Sequence, residues 1–180
     1  MKNLLIGAFL LFSSLGYAQT IVKISGGVGN RWDEKLNSQT IGKGGRLGIE
    51  HFLVPKFSLG LGGSTFSFHP NPSVQVRFTS ISLQGTYYFS RAKWQPFIGI
   101  ETGFCQYSDQ TTIDLGGGIT NKQKRSKQYG SISPKLGLLY LVTNKVGLQL
   151  QINTDFVPVA NISPIGFASL QAGVSYQISQ

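Results

Sequence analysis

Seven charged residues fall in a pattern that could do chemistry, in a chain with only 13% charged residues. Lys23, Arg46, Glu50, Arg77, Glu101, Lys135 and Asp155 each lie in a segment of alternating apolar and polar residues, on the polar parity. Strand side chains alternate between two faces, so these groups would share one side of a sheet. Buried together, they must pair or hold water. The expected network joins Glu101 and Glu50 to Arg46 and Lys135, with Asp155 nearer the outer rim. It could fill an interior with ion pairs or gate small ions. A second cluster, Lys122, Lys124, Arg125 and Lys127, lies in SDQTTIDLGGGITNKQKRSK. It could hold phosphates or an acidic glycan, or form the solvated base of a loop.

Residues suited to catalysis are sparse. The chain has two histidines, His51 and His69, and one cysteine, Cys105. Covalent chemistry needs a nucleophile, a base and an orienter within reach. His51, in IEHF, shares the parity of apolar Leu47 and Ile49, and His69 lies in HPNP. Neither has the flanking pattern of a metal ligand set. GGSTF and DLGGGIT are glycine-rich but lack the strand–loop–helix setting of a phosphate loop. No catalysis, cofactor or metal is expected. Cys105 cannot form an internal disulfide and should be a small packed side chain.

Strands must position the charged face. In VGLQLQINTDF (146–156), Val146, Leu148, Leu150, Ile152 and Phe156 take one parity and Gln149, Gln151, Asn153 and Asp155 the other. Seven further segments alternate similarly: 20–29, 43–53, 56–66, 76–89, 97–107, 131–142 and 165–178. Each is near the ~9–11 residues a tilted strand needs to cross a bilayer. VQVRF, at the start of the fourth, has reversed parity, which suggests a bulge near Ser80 or a strand running past the membrane. Glycines 48, 60, 62, 99, 103, 137, 147 and 173 share the polar face, where a narrow barrel needs small residues. Pro96 and Pro134 are expected near strand ends.

The N-terminus reads MKNLLIGAFLLFSSLGYAQT: Lys2, an apolar Leu4–Phe12, then Gly16 and Ala18. This is a secretory signal pattern with cleavage expected after Ala18, leaving 19–180 as one barrel domain. Removing Lys2 takes the net charge from +9 to +8 (9 − 1). Such a balance favours polyanions; with an exported chain and no binding motif, nucleic acid is not an expected partner. No later apolar run is long enough for a membrane helix, so any span is by strands. Connections should alternate between long (30–42, 69–73, 108–127, 157–164) and short (54–55, 90–93, 143–145). Lys56, Arg91, Lys93 and Lys145 accompany Phe57, Tyr87, Phe89, Trp94 and Tyr140 at the short end, as in an interfacial girdle.

With its signal peptide, eight period-two segments and final QAGVSYQI, the chain resembles the small eight-stranded outer-membrane β-barrels, OmpA-like and OmpX-like, of the Bacteroidetes type. Such barrels usually end on an aromatic residue; here Gln180 is last, with Tyr176 and Ile178 nearest. The resemblance implies an all-β, antiparallel up-and-down transmembrane barrel. It implies a monomer in outer-membrane lipid and lipopolysaccharide, inserted by the barrel assembly machinery, with loops open to an extracellular ligand or host surface. Two alternatives remain: a narrow small-solute pore, and a soluble lipocalin-like barrel with reversed faces. Phe66, Phe68, Phe78 and Phe167 break the alternation and keep the second open.

Overall fold

The computed structural model describes residues 19–32, 40–71, 73–114, 120–158 and 165–178. The signal peptide and its cleavage site fall outside them. Eight antiparallel strands close into one barrel in chain order: β1 (Thr20–Trp32), β2 (Thr40–Val54), β3 (Phe57–Asn71), β4 (Val74–Tyr88), β5 (Trp94–Asp114), β6 (Thr120–Leu141), β7 (Val146–Val157) and β8 (Ile165–Ile178). β1 pairs with β8, so the ring has no open seam.

The faces point as the alternation requires. Ile24, Leu47, Leu61, Leu83, Ile100, Leu136, Leu150 and Leu170 are exposed on the outer wall, while Glu50, Gln84, Lys135, Gln151 and Gln171 are buried inside. Only a lipid-facing barrel makes this inversion favourable. At the short-turn end Tyr87 packs on Phe89 and Trp94 on Tyr140 (ring centroids 5.4 and 4.5 Å), with the Lys93 ammonium over Tyr140.

Two expected long connections are instead largely strand. β5 and β6, at 21 and 22 residues, take up most of 108–127. On β3 and β4 only residues 72–73 lie between the strands. Beyond the bilayer both faces of a hairpin meet water, so alternation disappears although the ladder continues. A rise of ~3.3 Å per residue and a tilt of ~45° carry β5 roughly 50 Å along the membrane normal, about twice the apolar band of ~25 Å. Outward positions of β5 are apolar from Trp94 to Phe104, except Thr102, and polar from Gln106 on. The β5–β6 hairpin therefore stands well clear of the membrane.

Ser80 is not a bulge: β4 keeps continuous register with β3 and β5 there. The parity of VQVRF reverses because Val76 and Phe78 face an apolar interior. Pro134 lies mid-strand, not near an end. Pairing of β6 with β7 passes from Ile132↔Phe156 to Lys135↔Asn153, skipping Ser133 and Pro134, the latter without an N–H to donate.

Candidate functional site

The barrel interior is built in three layers. The middle one is charged and balanced, with Lys23, Arg46 and Lys135 against Glu50, Glu101 and Asp155. Lys23 Nζ lies 2.7 Å and Lys135 Nζ 3.2 Å from Glu50 Oε1. Lys135 Nζ is also 3.4 Å from Glu101 Oε1. Arg46 pairs directly with Glu101, and its other terminal nitrogen lies 3.4 Å from Asp155. Neutral groups extend the network. Tyr88 (2.8 Å), Ser58 (2.9 Å) and Thr86 (3.1 Å) donate hydroxyls to Glu50. Ser82 donates to Glu101 at 3.1 Å, Ser133 to Asp155 at 2.6 Å, and Lys135 to Gln84 at 2.6 Å. Equal opposite charges with hydroxyl partners are what a narrow desolvated lumen tolerates.

All five residues of the expected network are thus brought together. Lys23 proves as central as Lys135, and Tyr88 is an unforeseen member. Both carry the polar parity, but sequence does not show which side chains meet across the barrel. Arg77 is a correction: it is exposed on the outer wall, its Nε donating to Ser67 at 3.3 Å. Alternation places Arg77 inward only if Val76 and Phe78 face outward, and both are buried in the interior.

Apolar layers flank the charged one. Towards the long strands, Phe66, Phe68, Phe78 and Phe167 pack with Val76, Cys105 and Val157. Phe167 contacts the other three rings at centroid distances of 4.9–5.3 Å. These phenylalanines break the alternation because they face one another inside the barrel, not because the faces are reversed. At the short-turn end Ile21, Phe52, Tyr88, Phe97 and Leu139 form the second layer. Arg91 lies across it, 3.9 Å from the Phe52 ring centroid and bonded to Gln19. Partial burial there lowers the Arg91 pKa from its usual value. Between the layers, the free space beside Lys23, Arg46, Glu101 and Lys135 is ≈ 10 Å³. A water needs roughly 10–15 Å³ measured this way.

Glycines make this filling feasible. A Cβ on Gly103 would lie 2.7 Å from Ser82 Cα and collide with the Ile81 carbonyl; one on Gly60 would lie 2.8 Å from Glu50 Cα.

The basic cluster is not in a loop. Lys122, Lys124, Arg125 and Lys127 are all exposed on β6, but successive residues alternate faces. Lys122 and Lys124 share the outward parity of exposed Ile132. Arg125 and Lys127 share that of buried Ser133 and Lys135. The strand ladder thus divides the cluster between the hairpin's two sides. His51 Nδ1 lies 3.1 Å from Thr20 Oγ1 on the outer face, and His69 is exposed near the end of β3. Among the described residues no group of three His, Cys, Asp or Glu could hold a metal ion.

No family model and no curated protein matches the chain. Solved structures do. Neisserial surface protein A superposes with a TM-score of 0.66 at 17% identity, covering 87% of this chain and 96% of that one. A major outer membrane protein from Thermus thermophilus gives 0.62 at 14% identity, covering 87% and 99%. Ail, the attachment invasion locus protein of Yersinia pestis, in complex with the heparin analogue sucrose octasulfate, gives 0.61 at 10%, covering 90% and 99%. The chain has the fold of the small eight-stranded outer-membrane β-barrels, the architecture of the OmpA-like and OmpX-like proteins.

Proposed function

We propose that this protein is a monomeric integral barrel of a Gram-negative outer membrane, exported by a cleaved leader (1–18) and inserted by the barrel assembly machinery. Its role is structural and surface-interacting, without catalysis. The observation that carries the reading is the pairing of a filled lumen with a protruding basic hairpin. Apolar layers at both ends of a charge-balanced ion-pair layer, with only ≈ 10 Å³ of free space beside the charges, speak against a pore. The apolar exterior speaks against a soluble ligand carrier.

Binding then falls to the projecting strands. Lys122, Lys124, Arg125 and Lys127 put four cations on one exposed strand, suited to a polyanion such as a sulfated or acidic glycan at a host surface. Ail, of the same fold, is described in complex with a heparin analogue, which makes that class the one to test first. The experiment compares heparin binding by the folded protein and a variant with all four residues changed to Gln. Wild type should bind with strong salt dependence and the variant at least tenfold more weakly. Unchanged binding would remove the hairpin as the interaction site.

A further inference from the structure

Outside the barrel, β2 to β6 carry a feature that neither the lumen nor the hairpin explains. Along β2, β3 and β4 the apolar wall ends at one register row, Gly45–Thr65–Thr79. Beside it, Gly63 and Gly45 leave the backbone bare between Ile24, Leu47 and Ile81, opening a trough of ≈ 520 Å³. Neither glycine is needed by the lumen, since both take the outward parity.

The next row outward is Lys43–Ser67–Arg77. Lys43 and Arg77 stand two inter-strand steps apart, about 10 Å at ~4.8 Å per step. Arg77 also lines a polar notch of ≈ 50 Å³ with Gln75, Ser108, Gln110 and Lys124. Among the residues whose side chains are described, no carboxylate lies on this wall: Glu50, Glu101, Asp109 and Asp155 all take the inward parity. Cations at the polar edge of an apolar trough match a ligand with a phosphate head and an acyl tail.

We propose that this wall binds a phosphorylated, acylated glycolipid of the outer leaflet. Lys43, Arg77 and Lys124 hold its phosphates, and one acyl chain lies along the trough beside Gly45 and Gly63. This rests on the outer-membrane reading above but not on the glycan-binding role of the hairpin. Lys124 alone is common to both, so the test uses Lys43 and Arg77.

The barrel is refolded into phosphatidylcholine vesicles and titrated with fluorescent diphosphoryl lipid A or its dephosphorylated form. Wild type should prefer the diphosphoryl lipid. At ~1 kcal/mol per surface cation, the K43Q/R77Q variant should bind it about ten- to thirty-fold more weakly. Gly63→Leu fills the trough without a backbone collision, since its Cβ would lie 3.4 Å from the nearest atom, the Ser80 carbonyl oxygen. It should weaken both lipids several-fold. K145Q, in the short turn at the opposite end of the barrel, should bind like wild type. Equal binding of both lipids by wild type, or K43Q/R77Q within twofold of wild type, would overturn the site. If the variants still formed outer-membrane barrels, the broader reading would survive that result; a chain absent from the outer membrane would end both.

Discussion

Glu50→Gln isolates the central interaction of the lumen. The Glu50 carboxylate is fully buried and accepts hydrogen bonds from Lys23, Lys135, Tyr88, Ser58 and Thr86. A glutamine there keeps the shape but has one acceptor oxygen, and its amide group meets donors. It also leaves Lys23 and Lys135 without their shared carboxylate; only Lys135 keeps a second, in Glu101. Removing one partner of a buried pair typically costs ~3–5 kcal/mol, because the remaining charge is uncompensated. Two ammonium groups share the loss, so the upper half of that range, about 4–5 kcal/mol, is expected. Urea titration in phosphatidylcholine vesicles would measure it through tryptophan fluorescence, with Trp94 on the outer wall as reporter. Adding Lys23→Met should recover part of the loss, since a neutral partner no longer needs the carboxylate. A loss under ~1 kcal/mol for Glu50→Gln would mean that water reaches these charges, and the sealed-lumen account would fail.

Other consequences follow from the same packing. Phe167→Ala, which removes the ring touching Phe66, Phe68 and Phe78, should cost ~3–5 kcal/mol in the same titration. Gly103→Ala should prevent folding to the compact form seen by gel mobility, whereas Gly130→Ala, with open space around its Cβ, should fold normally. Cys105, 3% exposed within the outer apolar layer, should resist maleimide in the folded barrel and react in denaturant. Wild type in a planar bilayer should give no stable conductance steps; regular ohmic steps would show that the apolar layers open.

Much of this is legible in the sequence where one face meets lipid and the other the lumen. All eight strands and the inward residues Arg46, Glu50, Glu101, Lys135 and Asp155 follow from period-two alternation. That signal fails where the two environments become alike. On the outer parts of β5 and β6 both faces meet water, so residues 108–127 read as a loop. At Phe66 and Phe78 the pattern instead inverts, with the rings inward and Thr65, Ser67, Arg77 and Thr79 outward, so alternation turns Arg77 the wrong way. The splitting of Lys122, Lys124, Arg125 and Lys127 between two faces becomes visible only once that stretch is known to be strand. Cross-barrel pairings, such as Lys23 with Glu50 and Tyr88, depend on register and closure, which alternation does not encode.

The most direct test of the central claim is SDS gel mobility of the outer-membrane fraction, boiled against unboiled. A closed barrel with an apolar exterior should be found in that fraction and migrate faster unboiled. A protein soluble in the periplasm or medium, with no mobility shift, would contradict the account.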